Sequence, residues 1–149
     1  MAVKLSTGLR DAMLDGGSGG GLKGALNLGF INIYSGPQPI SPDSPATGTL
    51  LGVVSVNAVG TGLTFEAAAA GSIAKTTAEN WKFMGAATGT AGWWRFYPAA
   101  GNPSISSTDE ARLDGSIGSS GADMVLSNVA IVIGSPNTID VFQFTLLER

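Results

Sequence analysis

The chain has 149 residues with 8 Lys plus Arg against 11 Asp plus Glu, a net charge of −3, and it contains no cysteine and no histidine. The missing cysteine excludes disulfides, thiolate metal sites and cysteine nucleophiles, and the missing histidine removes the commonest general base, the commonest transition-metal ligand and the middle member of a serine triad. Mild acidity disfavours a nucleic-acid backbone as partner, because each neutralised phosphate needs a Lys or Arg. Charged residues make up 13% of the chain, where about 25% is usual, which suits a subunit that lies against neighbours more than a free monomer. The length predicts one domain with a core of its own. There is no apolar run near the ~18 residues of a membrane helix. The opening Met1-Ala2-Val3-Lys4-Leu5-Ser6 lacks the apolar core of a secretory signal, so synthesis in the cytoplasm is expected.

Leu5, Leu9 and Met13 fall at fourfold spacing behind Ser6, a candidate N-cap, and predict a helix over residues 5–14. A helix of about ten residues is marginal alone, so it must lie on the domain or on a partner. Residues 15–21, Asp-Gly-Gly-Ser-Gly-Gly-Gly, read as a flexible linker. They do not form a phosphate loop, because Lys23 is followed by Gly24 where that motif requires Ser or Thr.

From Leu22 onward the pattern is short strands separated by turn residues. Strands are expected at 30–34, 49–56, 62–65, 72–75 and 80–84, with an extended loop at 36–45 carrying Pro37, Pro39, Pro42 and Pro45. The alanine run at 66–70 is read as a turn leading into the next strand. Residues 90–98, Thr-Ala-Gly-Trp-Trp-Arg-Phe-Tyr-Pro, predict a central strand: alternation puts Trp93, Arg95 and Tyr97 on one face and Trp94 and Phe96 on the other, so both faces are covered. Arg95 is expected to lay its stem on rings and reach a rim with its guanidinium. A strand near 111–113 with Asp114-Gly115 as a turn, then strands at 124–126, 129–133 and 138–147, complete the chain. In the last of these Phe142, Phe144 and Leu146 are expected to face a core. This series without intervening helices predicts an all-β protein, a jelly-roll-like β-sandwich over residues 22–149 preceded by a short helical arm and Gly-rich linker over 1–21.

No catalytic constellation emerges. Serines and threonines stand outside the Gly-x-Ser-x-Gly and Ser-x-x-Lys patterns, so a non-enzyme without cofactor is expected. Adjacent loops could gather Glu110, Asp114 and Asp123 into a weak calcium site, but no Asp-x-Asp-x-Asp-Gly loop is present and turn residues are the plainer reading. Trp81, Trp93, Trp94, Tyr34 and Tyr97 could stack on sugars. Their strand-like surroundings favour core positions.

Five stretches carry a resemblance: the opening ten residues Met-Ala-Val-Lys-Leu-Ser-Thr-Gly-Leu-Arg, Ile-Tyr-Ser-Gly-Pro-Gln-Pro at 33–39, Thr-Gly-Thr-Leu-Leu-Gly at 47–52, Gly-Thr-Ala-Gly-Trp-Trp-Arg-Phe at 89–96, and Arg-Leu-Asp-Gly-Ser-Ile-Gly-Ser-Ser-Gly-Ala-Asp-Met at 112–124. In this order they resemble a group of small structural proteins of tailed bacteriophages, over nearly the whole chain. The resemblance implies a virion component on the capsid surface, made in the host cytoplasm: a decoration or cement protein whose partners are the major capsid protein and copies of itself, as dimer or trimer, with no nucleic acid and no membrane. A tail or baseplate component is the alternative within the same group, and a carbohydrate-binding module the alternative outside it. In the decoration reading Leu5, Leu9, Met13 and Leu14 of the arm would bury themselves on a neighbour to offset the entropy of ordering it.

Overall fold

A computed structural model describes residues 3–15 and 20–148, which run β1 (Lys4–Leu5), α1 (Thr7–Asp15), α2 (Gly21–Leu26), β2 (Phe30–Ser35), β3 (Leu50–Val56), β4 (Ser72–Ala74), β5 (Trp81–Met84), β6 (Gly89–Tyr97), β7 (Leu113–Gly118), β8 (Met124–Val125), β9 (Ala130–Ile131), β10 (Pro136–Ile139) and β11 (Gln143–Thr145). The fold is largely β, and all its strand pairs are antiparallel except β7 with β8. One sheet has the order β1-β7-β6-β2-β3-β5-β10, with β8 joined to β7 and β9 to β6; β11 and β4 form a second, two-stranded sheet. Among the described residues no helix is long and apolar enough to cross a membrane.

Strand β6 lies between β7 and β2, its expected central place. Its Trp94 and Phe96 point into a ring cluster with Phe65, Trp81 and Phe142. In a flat sheet β5 would stand about 14 Å from β6, three strand spacings away. The Trp81 and Phe96 rings are nevertheless 6.1 Å apart, so the sheet coils around this core. The two-stranded sheet covers the same core through Ile73, and Phe142 enters it just before β11.

Helix α1 forms over Thr7–Asp15 where 5–14 was expected, with Leu5 in β1 instead. The Ser6 hydroxyl accepts from the Leu9 amide at 3.1 Å as an N-cap and also ties the helix start to the far end of the sequence, donating to the Glu110 carbonyl at 2.8 Å and accepting from the Arg112 amide at 2.8 Å. Gly8 passes so close to the Asp109 backbone that a Cβ there would collide with it. These contacts correct the expectation of a separate arm. β1 pairs with β7, Leu9 is fully buried in the same cluster as Leu22, Leu26 and Trp81, and Leu5 and Met13 pack partly against it. Leu9 is therefore not available to a neighbour; of the four arm residues only Leu14 is fully in solvent. Where short strands were expected to begin at Leu22, the chain instead forms α2, which buries Leu22 and Leu26. Residues 16–19 of the linker lie outside the described residues.

Three further expectations change. Asp114-Gly115 is not a turn but lies inside β7, where the Trp94 indole packs against Gly115 so closely that any side chain would strike it. The expected strand 138–147 breaks at 140–142: Ile139 and Phe142 are both buried, Phe144 is half-buried and Leu146 is exposed, as the chain leaves the large sheet at β10 for the small one at β11. The stretch 62–65 makes only isolated bridges. Since Leu9 belongs to the common core, Leu9→Ala is expected to cost about 2–5 kcal/mol in urea unfolding; a loss under about 0.5 kcal/mol would mean that α1 is dispensable to the domain.

Candidate functional site

The sheet face opposite the ring cluster is polar and covered by loops. Tyr34 stacks on Trp93 with centroids 4.6 Å apart, and the Arg95 guanidinium lies over the Trp93 ring at 5.3 Å. Arg95 does not reach a rim as expected. It is wholly buried, with Nε and Nη2 each donating to one Asp114 carboxylate oxygen at 2.8 Å and Nη1 donating to the Ser44 and Pro103 carbonyls at 2.9 Å. Arg112, also wholly buried, donates to Glu110 at 2.6 Å and to the carbonyls of Pro42 and Asn102 at 3.1 and 2.7 Å. Burial pushes the Asp114 carboxyl up, and it stays above its usual value even though the Arg95 hydrogen bonds and charge pull it down.

This layer holds the proline-rich loop. Within residues 36–49 the Pro39 and Ile40 carbonyls accept from the Lys4 ammonium, the Pro42 carbonyl from Arg112, the Ser44 carbonyl from Arg95 and the Thr47 carbonyl from the Trp93 indole. Asp43 adds a link to α1: its two oxygens accept from the Thr7 amide at 2.8 Å and hydroxyl at 2.6 Å. Burial raises the Asp43 carboxyl, but the Thr7 bonds with the charges of Arg10 and Arg112 outweigh it and hold it below its usual value.

The residues proposed for chemistry are engaged in structure. Asp114 belongs to Arg95; Glu110 binds Arg112 and the Asn102 amide; Asp123 binds the amide and hydroxyl of Ser116. The three do not converge, and among the described residues no three acidic side chains form a group that could hold a metal ion. Trp81, Trp93 and Trp94 are buried, as is Tyr34, and Tyr97 is half-buried, so no indole offers a face for a sugar.

What the surface does offer is apolar. Fourteen large apolar side chains are exposed among the described residues, including Leu14 at 86%, Ile40 at 94%, Val141 at 76% and Leu147 at 77%. Ile40 projects from the loop that the cations hold down. Met84 and Pro136, partners in the β5–β10 pair, stand together, with Val132 and Ile133 on the connection just before β10. Sequence reading singled out Leu14 only. Ile40, among prolines, carried no periodic signal, whereas Val132 and Ile133 read as an ordinary strand. Comparison with family models, with curated proteins and with solved structures finds no match.

The two tyrosines offer a check on the polar layer. The Asn32 amide donates to the Tyr34 hydroxyl at 2.9 Å and its carbonyl accepts from Tyr97 at 3.0 Å. Burial, reinforced by the neighbouring Tyr34, pushes the Tyr97 phenol up to about 12, and burial raises Tyr34 as well. Raised values mean that both groups favour the fold while neutral. For Tyr97 that contribution is complete below the unfolded value near 10 and is lost as pH rises through about 12. Tyr97 should therefore ionise only near pH 12, together with unfolding, and Tyr34 above its ordinary value; titration of both tyrosines near pH 10 in the folded protein would contradict this packing.

Proposed function

We propose that the protein is a structural component of a tailed-bacteriophage virion, a capsid decoration or cement protein seated between major capsid protein subunits and stabilising the head. The observation that carries this reading is the division of side chains: buried cations and carboxylates are matched to one another or to loop carbonyls, while large apolar side chains stand in solvent. Such a molecule suits work done by covering area on other subunits, where weak contacts repeated by symmetry add up. The resemblance of the five sequence stretches gives the reading its viral setting. Within it we read the coiled sheet as jelly-roll-like, β7-β6-β2-β3 forming one layer and β5-β10 with the small sheet the facing one.

A tail or baseplate position is the second reading, because the same exposed side chains would serve any symmetric contact. A carbohydrate-binding module has less support, since its ring platforms are buried. Electron microscopy of the assembled particle is the test. Copies at two-fold or three-fold joints of the shell are expected; copies along the tail would favour the second reading, and a particle lacking the protein would contradict both.

A further inference from the structure

The margins of the two sheets are not protected alike. β1 is two residues long and carries Lys4, β8 is also two residues, and β10 opens on Pro136; short length, charge and proline are the usual guards against edge pairing. β11, itself only three residues long, carries neither charge nor proline. Residues 141–147 read Val-Phe-Gln-Phe-Thr-Leu-Leu, without charge, proline or glycine. Among the described residues β11 pairs only with β4.

The ladder fixes which backbone groups are free. The Leu146 amide donates to the Gly71 carbonyl at 2.8 Å, and the Phe142 carbonyl accepts from the Lys75 amide at 3.0 Å. Phe142, Phe144 and Leu146 thus turn their peptide groups toward β4, and the intervening Gln143 and Thr145 turn theirs outward. The stretch is also self-complementary. Reversed about Phe144, Val141 falls opposite Leu147, Phe142 opposite Leu146 and Gln143 opposite Thr145, so apolar meets apolar and polar meets polar throughout. The one repulsive match, Asp140 with Glu148, lies beyond the seven at exposed ends, where solvent screens it.

We propose that β11 is a homodimer edge: two copies pair β11 antiparallel about a two-fold axis through Phe144, giving a four-stranded sheet β4-β11-β11-β4. Gln143 and Thr145 then exchange backbone hydrogen bonds with Thr145 and Gln143 of the second copy, and the two Phe144 side chains meet as a non-hydrogen-bonded pair. The apolar groove of ≈ 340 Å³ beside β11, lined by Met13, Ile73, Phe144 and Leu146, continues the contact on the same side. The second copy is the occupant because the edge matches its own reverse, the condition a two-fold interface imposes. The pairing does not depend on the virion reading.

The absence of native cysteine makes register directly testable in the full chain. At the two-fold the Phe144 Cα atoms would lie about 4.5 Å apart, within disulfide reach, whereas the Thr145 Cα atoms would lie roughly 8 Å apart, beyond it. Under mild oxidation Phe144→Cys should give a covalent dimer and Thr145→Cys should stay monomeric on a non-reducing gel. In sedimentation the unaltered chain should be a dimer. Gln143→Lys/Thr145→Lys, which sets like charges opposite each other, should weaken association at least about tenfold, while Gln143→Lys/Thr145→Glu, which sets opposite charges across the axis, should keep the dimer. Unchanged tryptophan emission checks the fold of each variant. A monomer at all concentrations, cross-linking of Thr145→Cys as efficient as that of Phe144→Cys, or equal loss of the dimer in both double variants would overturn the proposal.

Discussion

A guanidinium buried on a sheet face has five N–H groups to satisfy and a charge to balance, and the way Arg95 meets that requirement organises one whole side of this protein. Two of its nitrogens pair with Asp114 on the adjacent strand, and the third reaches loop carbonyls at Ser44 and Pro103. Its position follows from β6: a strand with Trp94 and Phe96 in the core must present Trp93 and Arg95 on the other face. Asp114 is opposite Arg95 because β6 and β7 pair in that register.

The same requirement explains how a proline-rich loop can serve as a layer. Prolines have no amide hydrogen, so such a segment cannot join a ladder as a regular strand, yet its carbonyls still need donors. Lys4, Arg95, Arg112 and the Trp93 indole supply them at Pro39, Ile40, Pro42, Ser44 and Thr47. Each cation sits on a different element, β1, β6 and the segment leading into β7, so the loop fastens the amino-terminal segment to the sheet. Ser6 adds to this by binding Glu110 and Arg112 backbone groups. The cover is thus rigid from beneath and leaves Ile40 facing outward, the kind of fixed apolar contact that assembly favours, since little side-chain or loop entropy remains to be lost.

Much of the β architecture was legible because local signals and tertiary demands agreed. Alternation in residues 93–97 reported both faces correctly, and Ser6 before a fourfold apolar spacing located α1. The misreadings share a cause: the deciding partner lay far away in sequence. Nothing near Arg95 indicates that Asp114 and the loop would enclose it. Asp-Gly is an ordinary turn signal, and here its glycine answers to the Trp94 ring instead. The reading of short strands from Leu22 onward missed α2, whose buried Leu22 and Leu26 have meaning only against the core. The four apolar residues expected on the first helix could not reveal from spacing alone whether their face met the domain or a neighbour; Leu5 entered β1 and Leu9 met the domain. In the terminal stretch, strict alternation hid a change of sheet, since Ile139 and Phe142 reach the same core from different strands.

Chemical denaturation of Asp114→Ala tests the buried clamp most directly. Removing the carboxylate leaves the Arg95 charge enclosed without its counterion, and a loss of about 3–5 kcal/mol in unfolding free energy is predicted. A loss under about 1 kcal/mol, the size expected of a solvent-exposed pair, would contradict the account.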